Sequence, residues 1–95
     1  MDNRLKTLGL CARARKIVTG EDLVLESIRK GKAKLVFLAH DAGPNTSKSI
    51  RDKASFYNVC IDDSYSTMEI SNAVGTNNRV VVAVLDDGFA KNLKR

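Results

Sequence analysis

The 95-residue sequence predicts an α/β protein in which helices cover both faces of a four-stranded sheet. Three observations carry that expectation. The runs "KLVFLA" (34–39) and "RVVVAVL" (79–85) are apolar nearly throughout instead of alternating, as strands covered on both faces must be. Segments of helical period alternate with strands in the order α-β-α-β-α-β-α-β-α. The connections between them are short, which fits helices laid against the sheet they connect.

The elements follow in turn. Residues 3–15, "NRLKTLGLCARAR", place Leu5, Leu8 and Ala12 at helical intervals behind a cap at Asp2 or Asn3. Gly9 weakens this helix by up to about 1 kcal/mol. "KIVT" is a short strand, and Gly20 opens a second helix that ends at Gly31. In that helix Val24, Leu25 and Ile28 form the core-facing stripe, while Leu23 points away, on a face shared with Glu26, Ser27 and Lys30. After the first central strand, "PNTSKSIRDKASFYN" aligns Ile50, Ala54 and Tyr57 on one stripe, and "VCI" (59–61) is a brief strand. "STMEISNAVG" is a helix bounded by a capping box at Ser66 and Glu69 and by Gly75. Asp87 is placed to cap the closing "GFAKNLKR", where Phe89 and Leu93 share a face and Lys94 and Arg95 suit the negative end of the dipole.

A chain of this length holds one core, so residues 1–95 are read as a single domain. Two cysteines, Cys11 and Cys60, and one histidine, His40, support neither a disulfide framework nor a zinc site. Both cysteines are expected to be buried, and His40 to be a strand-end residue rather than a general base. The longest apolar runs fall well short of the roughly 20 residues of a membrane span, and "MDNRLK" is unlike a signal peptide. A soluble cytoplasmic protein is expected, without membrane partner, metal or other cofactor.

Charge is unevenly placed. Residues 1–57 carry twelve basic and six acidic side chains, whereas residues 58–95 carry four and five, within a net +5. Arg13, Arg15 and Lys16 precede the Gly20 helix, and Arg29, Lys30, Lys32 and Lys34 follow it. Such asymmetry suggests a polyanionic partner, most simply nucleic acid. The start of the second helix is unsuited to phosphate, because "TGEDLV" lacks the further glycines and the Gly-Lys-Ser/Thr ending of a phosphate loop. Its acids, Glu21 and Asp22, suit a helix start, and Thr19 and Asp22 have capping-box spacing. Carboxylates also accept hydrogen bonds from base amino groups, so this tip could read bases while the flanking cations hold the backbone.

The stretches "RKIVTGEDLVLESIRKGKAKLVFLAHDAGPNTSKSI", "NVCIDDSYSTMEISNAVG" and "RVVVAVLDDGFA" resemble the ribosomal L-seven-Ae family of kink-turn RNA-binding proteins, most closely its bacterial YlxQ-type branch. The resemblance spans about Leu5 to Leu93. It implies a three-layer α/β/α sandwich with a four-stranded mixed sheet, and a non-catalytic, ribosome-associated monomer. It also implies binding to a sharply bent internal loop, with the second helix's tip on sheared G·A pairs and a second loop over an extruded nucleotide. The family's signature is Gly, a small residue, Asn, Glu and, three positions later, Lys; those positions hold Gly20, Glu21, Asp22, Leu23 and Glu26. Only the glycine is kept, while Lys30 supplies a cation on the same face. The second loop reads from Ser64-Tyr65 to Ile70-Ser71, and Tyr65 could stack on a base. The RNA-contacting set is therefore Lys16, Gly20, Glu21, Asp22, Leu23, Glu26, Lys30, Lys32 and Tyr65.

Two other functions compete. Acids after the strands, Asp41, Asp62, Asp63, Asp86 and Asp87, occupy positions where open α/β sheets hold Mg²⁺ for phosphoryl transfer. Alternatively, the missing Asn, Glu and Lys fit a protein-binding accessory of an RNA machine that makes no specific RNA readout.

Overall fold

The computed structural model describes residues 2–94. Its elements are α1 (Asn3–Arg13), β1 (Ile17–Thr19), α2 (Glu21–Arg29), β2 (Leu35–Leu38), α3 (Pro44–Phe56), β3 (Ile61–Asp62), α4 (Thr67–Val74), β4 (Val81–Val84) and α5 (Asp87–Leu93). The strand order is β1-β4-β2-β3, with β4 antiparallel to both its neighbours and β2 parallel to β3. The sheet is mixed, and every residue of the two central strands is buried. Alternation across those strands divides the core. Leu35, Phe37, Val82 and Val84 pack with Leu5, Leu8, Cys11, Ile70 and Leu93, while Val36, Leu38, Val81 and Ala83 pack with Val24, Ile28, Ile50 and Ala54. Helices α1, α4 and α5 thus form one layer and α2 and α3 the other, giving the expected three-layer sandwich.

Several local expectations change. The cap of α1 is Asp2, whose Oδ1 accepts from the Leu5 amide at 2.8 Å. Gly9 is a packing requirement rather than a defect, because a Cβ there would lie 2.9 Å from the Ala73 carbonyl oxygen across the α1–α4 contact. No capping box joins Thr19 to Asp22: Thr19 ends β1 opposite Val82, and the cap of α2 is Gly20, at φ 91° and ψ 150°, with no side-chain cap. The box at Ser66 and Glu69 is complete, and Gly75 closes α4 in the left-handed region at φ 81°. Asp86 rather than Asp87 caps α5, its Oδ2 accepting from the Phe89 amide at 2.9 Å. Tyr57 departs from its stripe because it is the residue that caps α3, where the helix has ended, and it lies exposed beside Phe56. Cys60, expected to be buried, is exposed just before edge strand β3. Lys94 caps α5; Arg95 lies outside the described residues.

Strand direction gives the sheet two unlike ends. At the first, the Gly20 amide donates to Val81 O at 3.2 Å and Leu38 faces Val81, so the α2 tip shares this end with the segments that follow β2 and β3 and the one that precedes β4. At the second, the Leu85 amide donates to Lys16 O at 2.8 Å and the Lys34 amide to Val84 O at 2.7 Å. Here lie the ends of α1 and α2 and the starts of β1 and β2.

This polarity bears on the strand-end acids, which do not converge. Asp41, Asp62 and Asp63 belong to the first end, whereas β4 runs the other way and delivers Asp86 and Asp87 to the second. Four of the five are also engaged locally. Asp41 accepts from the Thr67 amide and hydroxyl at 2.9 and 2.7 Å, Asp62 pairs with Arg4, Asp63 pairs with Arg51 at 2.9 Å, and Asp86 caps α5. Among the described residues no group of three or more His, Cys, Asp or Glu side chains is arranged to hold a metal ion.

Candidate nucleic-acid interface

The tip of α2 is open because its cap residue, Gly20, has no side chain. Nothing lies within 4 Å of where a Gly20 Cβ would be, but the positive φ makes any other residue strained. Glu21 is turned inward, its Oε1 accepting from the Thr46 hydroxyl at 2.7 Å and tying the tip to the start of α3. That leaves Asp22 and Leu23 as the outward residues of the first turn, with Leu23 55% exposed. One turn further on, Glu26 is bound by Lys30 at 2.6 Å. That hydrogen bond, with the lysine's charge, holds the Glu26 carboxyl below the usual carboxylate range.

Two expected members of this face are elsewhere. Ser27 is buried, and its hydroxyl donates to Val24 O at 2.8 Å, so the outward face does not include it. Tyr65 is only 5% exposed and its ring lies 6.1 Å from that of Phe37, so it has no free face for a base. Its hydroxyl donates to Asp2 Oδ2 at 2.9 Å and accepts from Arg4 Nη1 at 3.0 Å. Burial, and then the Asp2 carboxylate, raise its phenolic pKa against the opposing influence of Arg4. The exposed apolar side chain of this segment is instead Met68, in the first turn of α4.

Arg4 explains the change and was not singled out by the sequence. Its guanidinium donates to Leu93 O at the end of α5, pairs with Asp62, and lies 5.7 Å over the Phe37 ring and 5.5 Å over that of Tyr65. Burial opposes ionisation of Asp62, yet hydrogen bonds from Ser64 and Arg4 outweigh it and leave the carboxyl below its ordinary value. Arg4 thereby fixes the segment leading from β3 into α4. In a sequence it is one more polar residue in the first turn of an amphipathic helix, and no periodicity marks it.

The flanking cations are not around the tip. Lys16 and Lys32 lie at the second end of the sheet, and Lys30 closes α2, a nine-residue helix and so about 13 Å long, on the side away from Gly20. The RNA-contacting set expected from the sequence is therefore divided: Gly20, Glu21, Asp22 and Leu23 come together at the first end, Glu26 and Lys30 lie along α2, and Lys16 and Lys32 are at the second. Arg79, two residues before Val81, brings a cation to the first end; its Nε is buried without a hydrogen-bond partner among the described residues. Beside it a shallow hollow is lined by Asp41, Met68, Asn77 and Asn78.

A mixed four-stranded sheet between two helical layers, with a glycine-opened helix tip at the same sheet end as the β3–α4 connection, defines an α/β/α sandwich. The chain belongs to the Ribosomal protein L7Ae/L30e/S12e/Gadd45 family, which it matches over residues 2–94. It is 49% identical over 86 residues to the RNA-binding protein YlxQ of Bacillus subtilis (strain 168), covering 90% of this chain and 86% of that one. With the RNA-binding protein YlxQ of Enterococcus faecium it shares 43% identity over 90 residues, 95% of this chain and 86% of the relative. A protein with unknown function from Bacillus halodurans C superposes with a TM-score of 0.94 at 36% identity, over 98% of this chain and 94% of that one. The Giardia lamblia 15.5kD RNA binding protein superposes with a TM-score of 0.73 at 20% identity, over 98% and 90% of the two chains, a likeness of fold. Among the described residues no helix is long and apolar enough to cross a membrane.

Proposed function

We propose that this protein binds structured RNA, that its target is a kink-turn-like internal loop, and that it acts by binding alone, as a cytoplasmic, ribosome-associated monomer. The observation that carries the reading is the open α2 tip, where Gly20 admits close approach and only Asp22 and Leu23 project from the first turn. The names of the two relatives above 40% identity, both RNA-binding proteins, support the choice of ligand. In this reading Asp22 accepts from the amino edges of unpaired purines and Leu23 packs on the exposed base or sugar, an apolar contact where the family's pattern has a glutamate. Arg79 supplies charge at the same end, and Met68 is the side chain available to a nucleotide turned out of the stack.

The test is a gel-shift titration with a kink-turn RNA and with the same RNA after its G·A pairs are replaced. At least a tenfold preference for the intact loop is expected, surviving an increase in salt and lost in Leu23→Asp. Equal loss of both complexes as salt rises would reduce the interaction to nonspecific attraction. The exposed Phe56–Tyr57 pair, with ring centroids 5.0 Å apart next to a hollow lined by Leu25 and Lys53, favours a second reading as a protein-binding accessory. Under that reading Phe56→Ala, not Leu23→Asp, abolishes association with the ribosome.

A further inference from the structure

The cations that give the sequence its asymmetry are collected at the sheet end opposite the α2 tip. Lys16 and Lys34 lie on either side of the end of β4, joined to it through Leu85 N to Lys16 O and Lys34 N to Val84 O. Adjacent strands are about 4.8 Å apart, so the two backbones are separated by roughly 10 Å. Arg15 and Lys32 adjoin them in sequence. The acids of this end are largely engaged: Glu26 is paired with Lys30, Asp86 caps α5, and Asp87 reaches Lys34 only at 3.9 Å. Arg15, Lys16 and Lys32 have no carboxylate within ion-pair distance among the described residues.

The backbone fixes where these cations sit. Arg15 is at φ 60°, the left-handed residue that closes α1, held by its amide's bond to Ala12 O at 3.0 Å and that of Lys16 to Cys11 O at 3.0 Å. Glycine is the residue such a helix end favours, so the arginine is kept there at a small cost in stability. Of the exposed large apolar side chains, Leu23 and Met68 belong to the other end, whereas Leu10, Phe56 and Tyr57 lie toward the C-terminal ends of α1 and α3 on this one. The cation cluster itself, 13–16 and 30–34, contains none of them, and a nucleic-acid backbone is held by charge.

We propose that this end is a second RNA surface, which grips the backbone of a duplex without reading its sequence while the α2 tip holds an internal loop. The two surfaces face opposite ways across a molecule of 30 × 26 × 22 Å, so one chain bridges two RNA segments. The proposal rests on RNA being the ligand of the tip.

Its test uses the full chain saturated with a short kink-turn hairpin, to which a labelled plain RNA duplex is added at low salt and followed by native electrophoresis. A ternary complex is expected. The variant Arg15→Gln/Lys16→Gln/Lys32→Gln should weaken duplex uptake at least tenfold and flatten its log–log salt slope by about 2 to 3, from a contribution of just under one per phosphate contact. The same variant should leave the preference for intact over altered kink-turns unchanged, and Leu23→Asp should do the reverse. Arg15→Gly separates fold from function: it should raise the melting midpoint and still weaken duplex uptake. Duplex uptake unchanged in the triple variant, or a saturated complex that refuses the duplex, overturns the second surface and leaves the tip reading intact. Equal competition by polyglutamate overturns the assignment to RNA. Loss of kink-turn discrimination in the wild type would instead count against the tip.

Discussion

The two helical layers cover the same sheet by different means. The α1/α4/α5 layer is bound by a polar tie in which Arg4 joins Asp62, Tyr65 and Leu93 O, and by the close approach of Gly9 to Ala73. The α2/α3 layer rests mainly on an apolar seam, with Thr46 to Glu21 joining its helices at the tip and Arg51 to Asp63 joining α3 to the β3–α4 connection, and it carries three of the exposed large apolar residues, Leu23, Phe56 and Tyr57. One layer is thus fixed largely by a polar tie remote in sequence and the other largely by apolar packing, with Leu23 and the Phe56–Tyr57 pair left on the outside of the second. Substitutions in the first should therefore register in stability, and those on the open face of the second in binding.

The largest loss of stability is expected at Arg4. Arg4→Ala removes from Asp62, 8% exposed in its side chain, a cation that holds it, and takes a donor from Leu93 O. A loss of about 1 to 3 kcal/mol is expected in urea unfolding, because charge-assisted hydrogen bonds in a nearly buried site are lost. Arg4→Lys recovers only part of it, since an ammonium cannot reproduce the fork to several acceptors. A loss below 0.5 kcal/mol, the range of about zero to one typical of exposed ion pairs, would make the tie ornamental.

Gly9→Ala comes next. Its methyl group would meet the backbone of Ala73 at 2.9 Å, and backbone cannot yield as a flexible side chain can. Overpacking costs about 1 to 3 kcal/mol and helix propensity returns up to about 1, so a net loss of roughly 1 kcal/mol is expected. A gain in melting temperature would show that the α1–α4 contact has slack.

Acid should sharpen the contrast. Asp2, Asp41 and Asp62 all serve the α1/α4/α5 side, and all are held below the ordinary carboxylate value. For Asp2 the leading cause is the Leu5 amide, for Asp41 it is the Thr67 hydroxyl, and for Asp62 burial is outweighed by Ser64 and Arg4. A depressed folded pKa gives stability that is present above the unfolded value of about 3.9 and is lost as pH falls through the folded values. Amide exchange between pH 5 and pH 3 should show α1 and α4 losing protection before α2 and α3. Loss in the reverse order would locate the weak layer on the other side.

How much of this was legible in the sequence depended on whether the deciding physics was periodic. Central strands were readable because burial on both faces leaves continuous apolar runs, and α4 because a capping box and a closing glycine are local signals. Helices on both faces followed from the alternation of elements, but the mixed sheet came through the resemblance, since nothing local states strand direction. Gly9 was misread as a cost because its partner, Ala73, is remote in sequence. The same limit hid Arg4 and put Tyr65 on the surface: their bonds span 58 to 89 residues of chain. Lys16 and Lys32 looked like neighbours of Gly20 for the opposite reason. They are close in sequence, but a strand on one side and a helix on the other carry them to the far end of the sheet.

The smallest effect is on stability and the most informative is on rate, at the two thiols. Cys60 is exposed beside an edge strand, so Cys60→Ser should change stability by less than about 0.5 kcal/mol, and a thiol reagent should modify Cys60 within the folded state. Cys11 is buried in the α1 layer, donates to Lys16 O at 3.6 Å, and has its pKa pushed up to about 11 by burial, with Asp86 adding to the rise. Little thiolate exists there at neutral pH, and none is reachable until α1 leaves the sheet. Its modification rate therefore reports the opening of that layer, apart from the rest of the molecule. In a Cys60→Ser background, Arg4→Ala should speed Cys11 labelling in step with its loss of stability, while Leu23→Asp should not change it. Acceleration by Leu23→Asp would mean that the layers open together, and the division between a layer that holds and a layer that binds would then be a matter of surface rather than of stability.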